Sequence, residues 1–378
     1  MPEAQCHLCG SQNVVSFESY GKLPRVTSDC LAWPPGGSLR ACQTCGCIQK
    51  SIDAKWQAEI AEIYGNYNIY HQSNGAEQLI FDSAGQAGSR SSRLANRLQA
   101  DLAFSSEGRL LDVGCGNGAF LRAFNKVRPR WALAGTELND INRKAVEAIP
   151  NVEQLYVGGL NAVPGKFDLI SMIHVLEHIP DPVPLLLEIK SKLNDGGRLV
   201  IEVPDCISNP FDLLVADHST HFTLNTLRAL VQRAGYEVLH GAADWIPKEL
   251  SVVARPGNSS ITAATDVDNA GRDVVNGHLR WLEESIAGAR KSASTSQSFG
   301  LFGTSIAGIW LFGALENAPQ FFVDEDPLRV GKTLSGRPVY APGTVPAGSQ
   351  VYMVLPKPIA QRVAARMSAI RPDVDWTV

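Results

Sequence analysis

The chain has no excess of charge of either sign. Its 34 basic side chains stand against 38 acidic ones, a formal net charge of −4 at pH 7, which leaves no electrostatic footprint for nucleic acid. It has no apolar N-terminal signal segment, so its eight cysteines read as thiols of a reducing cytoplasm rather than as a secreted disulfide scaffold. Long hydrophobic runs are missing too. The one uncharged stretch worth weighing as a membrane span, Phe299 to Leu315, is too short and too rich in glycine. It reads better as a buried strand, turn and helix leading into another strand, Gln320 to Asp324. What is left is a 378-residue chain with room for two or three domains, each with a full core.

The most informative stretch is Arg-Leu-Leu-Asp-Val-Gly-Cys-Gly-Asn-Gly at 109 to 118. An apolar strand runs straight into a glycine turn with Asp112 at its mouth. Gly114, Gly116 and Gly118 have no Cβ, so the turn can take positive φ and a ligand can lie against the backbone around Cys115. A dinucleotide site would space its glycines G-x-G-x-x-G and lay a pyrophosphate on the helix that follows. Here the spacing is G-x-G-x-G, and Asp112 repels a pyrophosphate but suits the ammonium of a methionine moiety. This charge logic favours S-adenosyl-L-methionine. A second strand, Ala132 to Leu138, ends in Glu137, about 20 residues beyond the turn, where a carboxylate accepts both ribose hydroxyls. Strands at Phe167 to Met172 and Gly196 to Val203, with helical stretches between, imply a parallel, doubly wound α/β sheet. For the adenine, Gly158 to Asn161 offers only an amide and backbone.

Two Cys-x-x-Cys knuckles, Cys6-His-Leu-Cys9 and Cys42-Gln-Thr-Cys45, flank a loop rich in proline and glycine. Four thiolates so placed surround Zn²⁺ tetrahedrally. Gly10 and Gly46 follow each second cysteine, where a knuckle turn needs positive φ. Cys30 and Cys47 are spare thiols in the same region, which leaves the fourth ligand open, and a redox pair would call for one knuckle rather than two. With four protein ligands no position remains for water, so the metal's role is structural.

Downstream, Tyr64-Gly-Asn-Tyr67-Asn-Ile-Tyr70-His-Gln-Ser73 reads either as an apolar helix stripe of tyrosines or, given its glycine and asparagines, as a loop able to close over cofactor or substrate. His174 and His178, in His-Val-Leu-Glu-His-Ile-Pro-Asp-Pro, lie just past the third strand, at the carboxyl edge where ligands of open α/β sheets bind. Helical spacing would place them on one face, but Pro180 and Pro182 end any helix there and no third metal ligand is near in sequence. A second cluster, Asp217-His218-Ser-Thr-His221, precedes a helix with apolar positions Leu224, Leu227, Leu230 and Val231. An imidazole beside a carboxylate is what a general base requires, with Asp217 orienting His218; the alternative is that His218 or His221 caps the helix. Ala270 to Ser292 carries apolar residues at helical spacing and reads as a connecting helix that would equally serve a dimer.

With these features the chain resembles the bacterial sugar C-methyltransferases, which act on nucleotide-linked deoxy-keto-sugars. The likeness lies in the paired knuckles with Cys45-Gly-Cys-Ile-Gln49, in Tyr64 to Ser73, Asp112 to Gly118 and His174 to Pro182. It continues in the C-terminal Phe302-Gly-Thr-Ser305, Val323 to Pro327 and Gly331 to Gly336. The resemblance implies a zinc module (1–55), lid and linker helices (56–100), a Rossmann-like class I methyltransferase domain (101–256) and a C-terminal Rossmann-like substrate domain (257–378). It implies His218 as the catalytic base with Asp217, His178 as the other active-site histidine and Tyr67 as the lid tyrosine. Tyr70, Ser73, Leu138 and His174 would then line the cofactor site with the glycine turn. The partner implied is a small molecule, a nucleotide-linked sugar, whose diphosphate Lys332 and Arg337 would meet unless they only form a solvated face. The chain departs from the family at Leu214-Val-Ala216, at His221 and at Pro247 to Ser251, all on the substrate side. These departures keep transfer to oxygen or nitrogen of a sugar or related polar metabolite open as the alternative.

Overall fold

The computed structural model describes residues 5–65, 77, 79–81, 87–257, 269–316 and 318–378. Its centre is a seven-stranded sheet ordered Val152–Val157, Trp131–Glu137, Gly108–Val113, Phe167–Ile173, Leu193–Pro204, Glu249–Pro256, Tyr236–Ala242. The first five strands are mutually parallel, and Glu249–Pro256 is antiparallel to both of its neighbours. Leu110, Leu111, Leu169, Ile170, Leu199 and Ile201 are fully buried. Near-continuous apolar strands of this kind are what a parallel sheet covered on both faces requires. The strand order reverses between Gly108–Val113 and Phe167–Ile173, so the crevice for a ligand opens at the carboxyl ends of those two strands.

Local chemistry sets the helices around this sheet. Helix Leu224–Arg233 starts with a capping box in which Thr223 and Thr226 satisfy each other's backbone N–H groups. The cap is thus a threonine, and neither His218 nor His221 fills it. Pro182 opens helix Pro182–Ser191 instead of terminating one, because proline's fixed φ and missing N–H cost nothing in a first turn. His174 and His178 therefore share no helical face: His174 sits at φ 54°, and a single 3₁₀ turn, Leu176–His178, follows.

The N-terminal strands Val14–Ser16, Leu39–Cys42 and Ile48–Lys50 form an antiparallel sheet whose fourth strand comes from mid-chain, with Thr220–His221 pairing to Ile48–Lys50. The C-terminal region forms a six-stranded sheet, parallel from Arg337–Tyr340 through Phe321–Val323, Phe299–Phe302 and Gln350–Tyr352 to Asp375–Thr377. The connecting helix runs Asn269–Thr295. Val275, Leu279, Leu282 and Ile286 on it pack into a core shared with Phe211 and Trp310, so its apolar face is consumed within the chain. The stretch weighed as a membrane span is strand Phe299–Phe302 and helix Ile306–Ala314. Among the described residues no helix is long and apolar enough to cross a membrane.

Candidate active site

The glycine turn takes the shape its composition allows. Gly114, Gly116 and Gly118 have φ of 68°, 56° and 79°, and a Cβ on Gly114 would stand 2.6 Å from Val175 Cγ2. The turn is tied to the next strand at each step: Gly114 N–H donates to Thr136 Oγ1 (3.3 Å) and Gly116 N–H to Glu137 Oε1 (2.5 Å). Cys115 is buried behind the turn, while Leu138, just past Glu137, is 76 % exposed. Asp112 accepts from Ser171 Oγ at 2.7 Å. Burial, opposed by that hydrogen bond, pushes its carboxyl up to about 7. Asp112, the three glycines and Glu137 thus meet at the reversal point of the sheet, and His174 follows the neighbouring strand Phe167–Ile173.

The histidines lie on the same edge. Val175 packs against the glycine turn, and three residues later His178 meets the loop that carries His218: their rings are edge to face, with centroids 4.7 Å apart. Ser219 N–H and Oγ both donate to Glu177 O, closing the two loops on each other. The pairing differs from the expected one. Asp217 does not orient His218; its Oδ2 lies 3.3 Å from His178 Nδ1, and it accepts from Ser28 N–H (2.9 Å) and Ser28 Oγ (2.5 Å). His218 Nδ1 instead meets Asp212 Oδ1 at 2.7 Å, and His221 Nδ1 meets Asp212 Oδ2 at 2.7 Å. The 3₁₀ turn Pro210–Leu214 aims Asp212 inward, where a six-residue sequence gap hides it from any helix or strand period. Burial disfavours charge on both His178 and His218, but Asp217 outweighs it and raises His178, whereas His218 stays lowered despite Asp212. Adjacent imidazoles pushed in opposite directions are suited to divide acid and base roles.

Tyr64, from helix Ala54–Gly65, places its hydroxyl 3.1 Å from His178 Nδ1. Tyr67, Tyr70 and Ser73 lie outside the described residues. His174 Nδ1 is 3.2 Å from Glu177 Oε1, and its Nε2 is 3.5 Å from Glu249 Oε2 and 4.0 Å from Glu202 Oε1. Burial lowers His174 to about 3 and raises all three glutamates. This acid-lined corner was not legible from the spacing of the glutamates.

The four knuckle thiols converge. One ligand atom from each of Cys6, Cys9, Cys42 and Cys45 lies within 4.8 Å of the others, with Cys6 Sγ to Cys45 Sγ at 3.5 Å and Cys9 Sγ to Cys42 Sγ at 3.6 Å. Zn–S bonds of about 2.3 Å in a tetrahedron give S···S edges of roughly 3.8 Å, so the donor set fits zinc. Hydrogen bonds from Cys45, Cys6 and Cys9 lower Cys42, and Cys42 in turn raises the other three. Gly10 and Gly46 both sit at φ 75°. A groove of about 540 Å³ that includes Lys22, Trp33, Glu283 and Arg290 involves none of these site residues.

Comparison with known proteins agrees with the central fold. Residues 86–241 match the family model described as Methyltransferase domain, and with the sheet above they form a Rossmann-like class I S-adenosylmethionine-dependent methyltransferase fold. An uncharacterized 37.1 kDa transposon protein of Streptomyces fradiae is 29% identical over 206 residues, 49% of this chain and 59% of that protein. A tRNA U34 carboxymethyltransferase of Nautilia profundicola is 31% identical over 100 residues, 25% of this chain and 33% of that protein. The chain thus spans between a third and three fifths of these relatives' lengths. Among solved structures, a methyltransferase of calicheamicin biosynthesis in its S-adenosylhomocysteine-bound form is 18% identical, covers 44% of this chain and 54% of its own, and has a TM-score of 0.37. The mitomycin 7-O-methyltransferase is 20% identical, covers 45% and 55%, and has a TM-score of 0.39.

Proposed function

We propose that the chain is an S-adenosylmethionine-dependent methyltransferase acting on carbon of a nucleotide-activated keto-deoxysugar. His218 removes the proton alpha to the ketone, the resulting enolate attacks the sulfonium methyl in line, and S-adenosylhomocysteine leaves. Holding donor and acceptor in line supplies much of the rate. The observation that carries this reading is the edge-to-face pair His178 and His218 beside the glycine turn, each ring backed by its own buried carboxylate. Tyr64 and the imidazolium of His178, whose hydroxyl and Nδ1 stand 3.1 Å apart, stabilise the enolate oxygen in this reading. Asp112 and Glu137 hold the ammonium and ribose of the donor, and four thiolates hold a structural Zn²⁺ that supplies folding free energy. The expected experiment is solvent deuterium exchange into a nucleotide-linked keto-deoxysugar, with exchange reduced at least about a hundredfold in His218→Ala. Methylation of a hydroxyl or amine without any such exchange would overturn it.

A second reading, transfer to oxygen or nitrogen of a sugar or related polar metabolite, draws on one feature. Glu202 and Glu249 surround His174 at the same strand ends, giving a second set of groups able to receive a proton from a hydroxyl or ammonium.

A further inference from the structure

We infer that Asp212 is a positioning residue that fixes both His218 and His221 as tautomers with hydrogen on Nδ1, leaving Nε2 of His218 as the nitrogen that receives the acceptor's proton. Only the last clause rests on the proposed function; the tautomers follow from geometry alone. An ionised carboxylate accepts hydrogen bonds and donates none, and each of its oxygens stands 2.7 Å from a separate ring nitrogen. Both nitrogens must then carry hydrogen. The 2.7 Å distances are those of charge-assisted bonds. Asp212 is 2 % exposed and His221 fully buried; burial favours a neutral carboxyl, but His221 and His218 together hold it well below the usual carboxylate range.

Neither ring is loosely placed. His221 belongs to the strand Thr220–His221 that pairs with Ile48–Lys50, and Asp212 N–H donates to Asn209 O while Asp212 O accepts from Val215 N–H. Among the described residues His221 Nε2 is buried without a hydrogen-bond partner, so this second imidazole serves the carboxylate through Nδ1. The three side chains also lie close enough together to hold a metal ion. A metal bound through Nδ1 would leave those nitrogens without hydrogen, which makes the two readings separable.

The test is a long-range ¹H–¹⁵N correlation spectrum of the full chain labelled at histidine. Expected are Nδ1–H signatures for His218 and His221. In Asp212→Asn, the amide oxygen accepts from one ring while its NH₂ faces the other, so at least one ring switches to Nε2–H. His221→Asn, whose amide nitrogen stands where Nδ1 stands, keeps His218 as in the wild-type chain, whereas His221→Phe releases it into a tautomer mixture. This pair decides the matter should Asp212→Asn fail to fold. Titration with S-adenosylhomocysteine gives the same affinity, within about twofold, in every folded variant. His218 found as Nε2–H, an Asp212→Asn spectrum unchanged from wild type, or Nδ1 bare in both rings would overturn the inference. Failure of the wild-type chain to bind S-adenosylhomocysteine would overturn the proposed function and leave the tautomer assignment standing.

Discussion

At Asp112, burial outweighs the hydroxyl of Ser171 and, with Glu137 nearby, lifts the carboxyl to about 7. A bound ammonium reverses that balance, because it interacts only with the ionised form. With the donor's ammonium on Asp112 as proposed, binding expels a proton, and affinity should rise as pH rises through about 7 and level off above it. Calorimetry with S-adenosylhomocysteine between about pH 6 and pH 8 should show this tightening, and Asp112→Asn should bind about 10- to 100-fold more weakly at the upper pH, with a flat profile. A wild-type profile without slope would rule out Asp112 as the ammonium's partner. Asp112 was legible in the sequence because its meaning comes from immediate neighbours: an apolar strand before it and three glycines after it. Asp212 was not. It acts across a loop on two imidazoles, and in a chain with 38 acidic residues nothing local marks it. Asp217, adjacent to His218 in sequence, faces a different histidine because it lies in a turn closed by His218 N–H on Val215 O, and Ser28 holds its carboxylate there.

At the level of elements, the strand–glycine turn–helix unit was readable because its period, apolar content and turn chemistry agree. The sequence segment Phe167 to Met172 appears as Phe167–Ile173, and Gly196 to Val203 as the longer Leu193–Pro204. Thr220–His221, a strand of two residues, has no period to read; it exists because Ile48–Lys50 supplies its partner. The glycine turn makes a graded prediction. At Gly118 φ is 79° and a Cβ would stand 2.5 Å from Ile149 Cδ1, whereas at Gly158 φ is 101° with open space around the same position. Alanine at Gly158 pays backbone strain alone, about 1–2 kcal/mol. Alanine at Gly118 adds overpacking, about 1–3 kcal/mol more. Denaturant melts of the two variants should rank in that order; equal losses would mean that Ile149 gives way freely.

For the whole molecule, the N-terminal module and the histidine loop are one construction. Lys50 Nζ donates to Val215 O and Lys50 N–H to Ser219 O, Ala216 N–H donates to Val26 O, and Trp56 Nε1 donates to Ala216 O. Gln49, whose neighbour Ile48 pairs with His221, accepts from His7 N–H inside the first knuckle. The loop carrying His218 is thereby held from residue 215 to 221 by strand Ile48–Lys50, which follows the second knuckle, together with Val26 and the helix residue Trp56. The glycine turn hangs instead on the seven-stranded sheet. With zinc on the four thiols as proposed, elemental analysis should find one zinc per chain, absent from Cys42→Ser or from the full chain stripped by a chelator, and its loss should weaken the histidine half of the site first. Methyl transfer should fall more than about tenfold while affinity for S-adenosylhomocysteine falls less, the smaller loss reflecting the core that Cys6, Leu8, Cys42 and Cys47 share with Leu111 and Val113. Equal decline of both would mean that the metal sustains the whole fold. Transfer at an undiminished rate without zinc would show that the strand pairing holds His218 unaided.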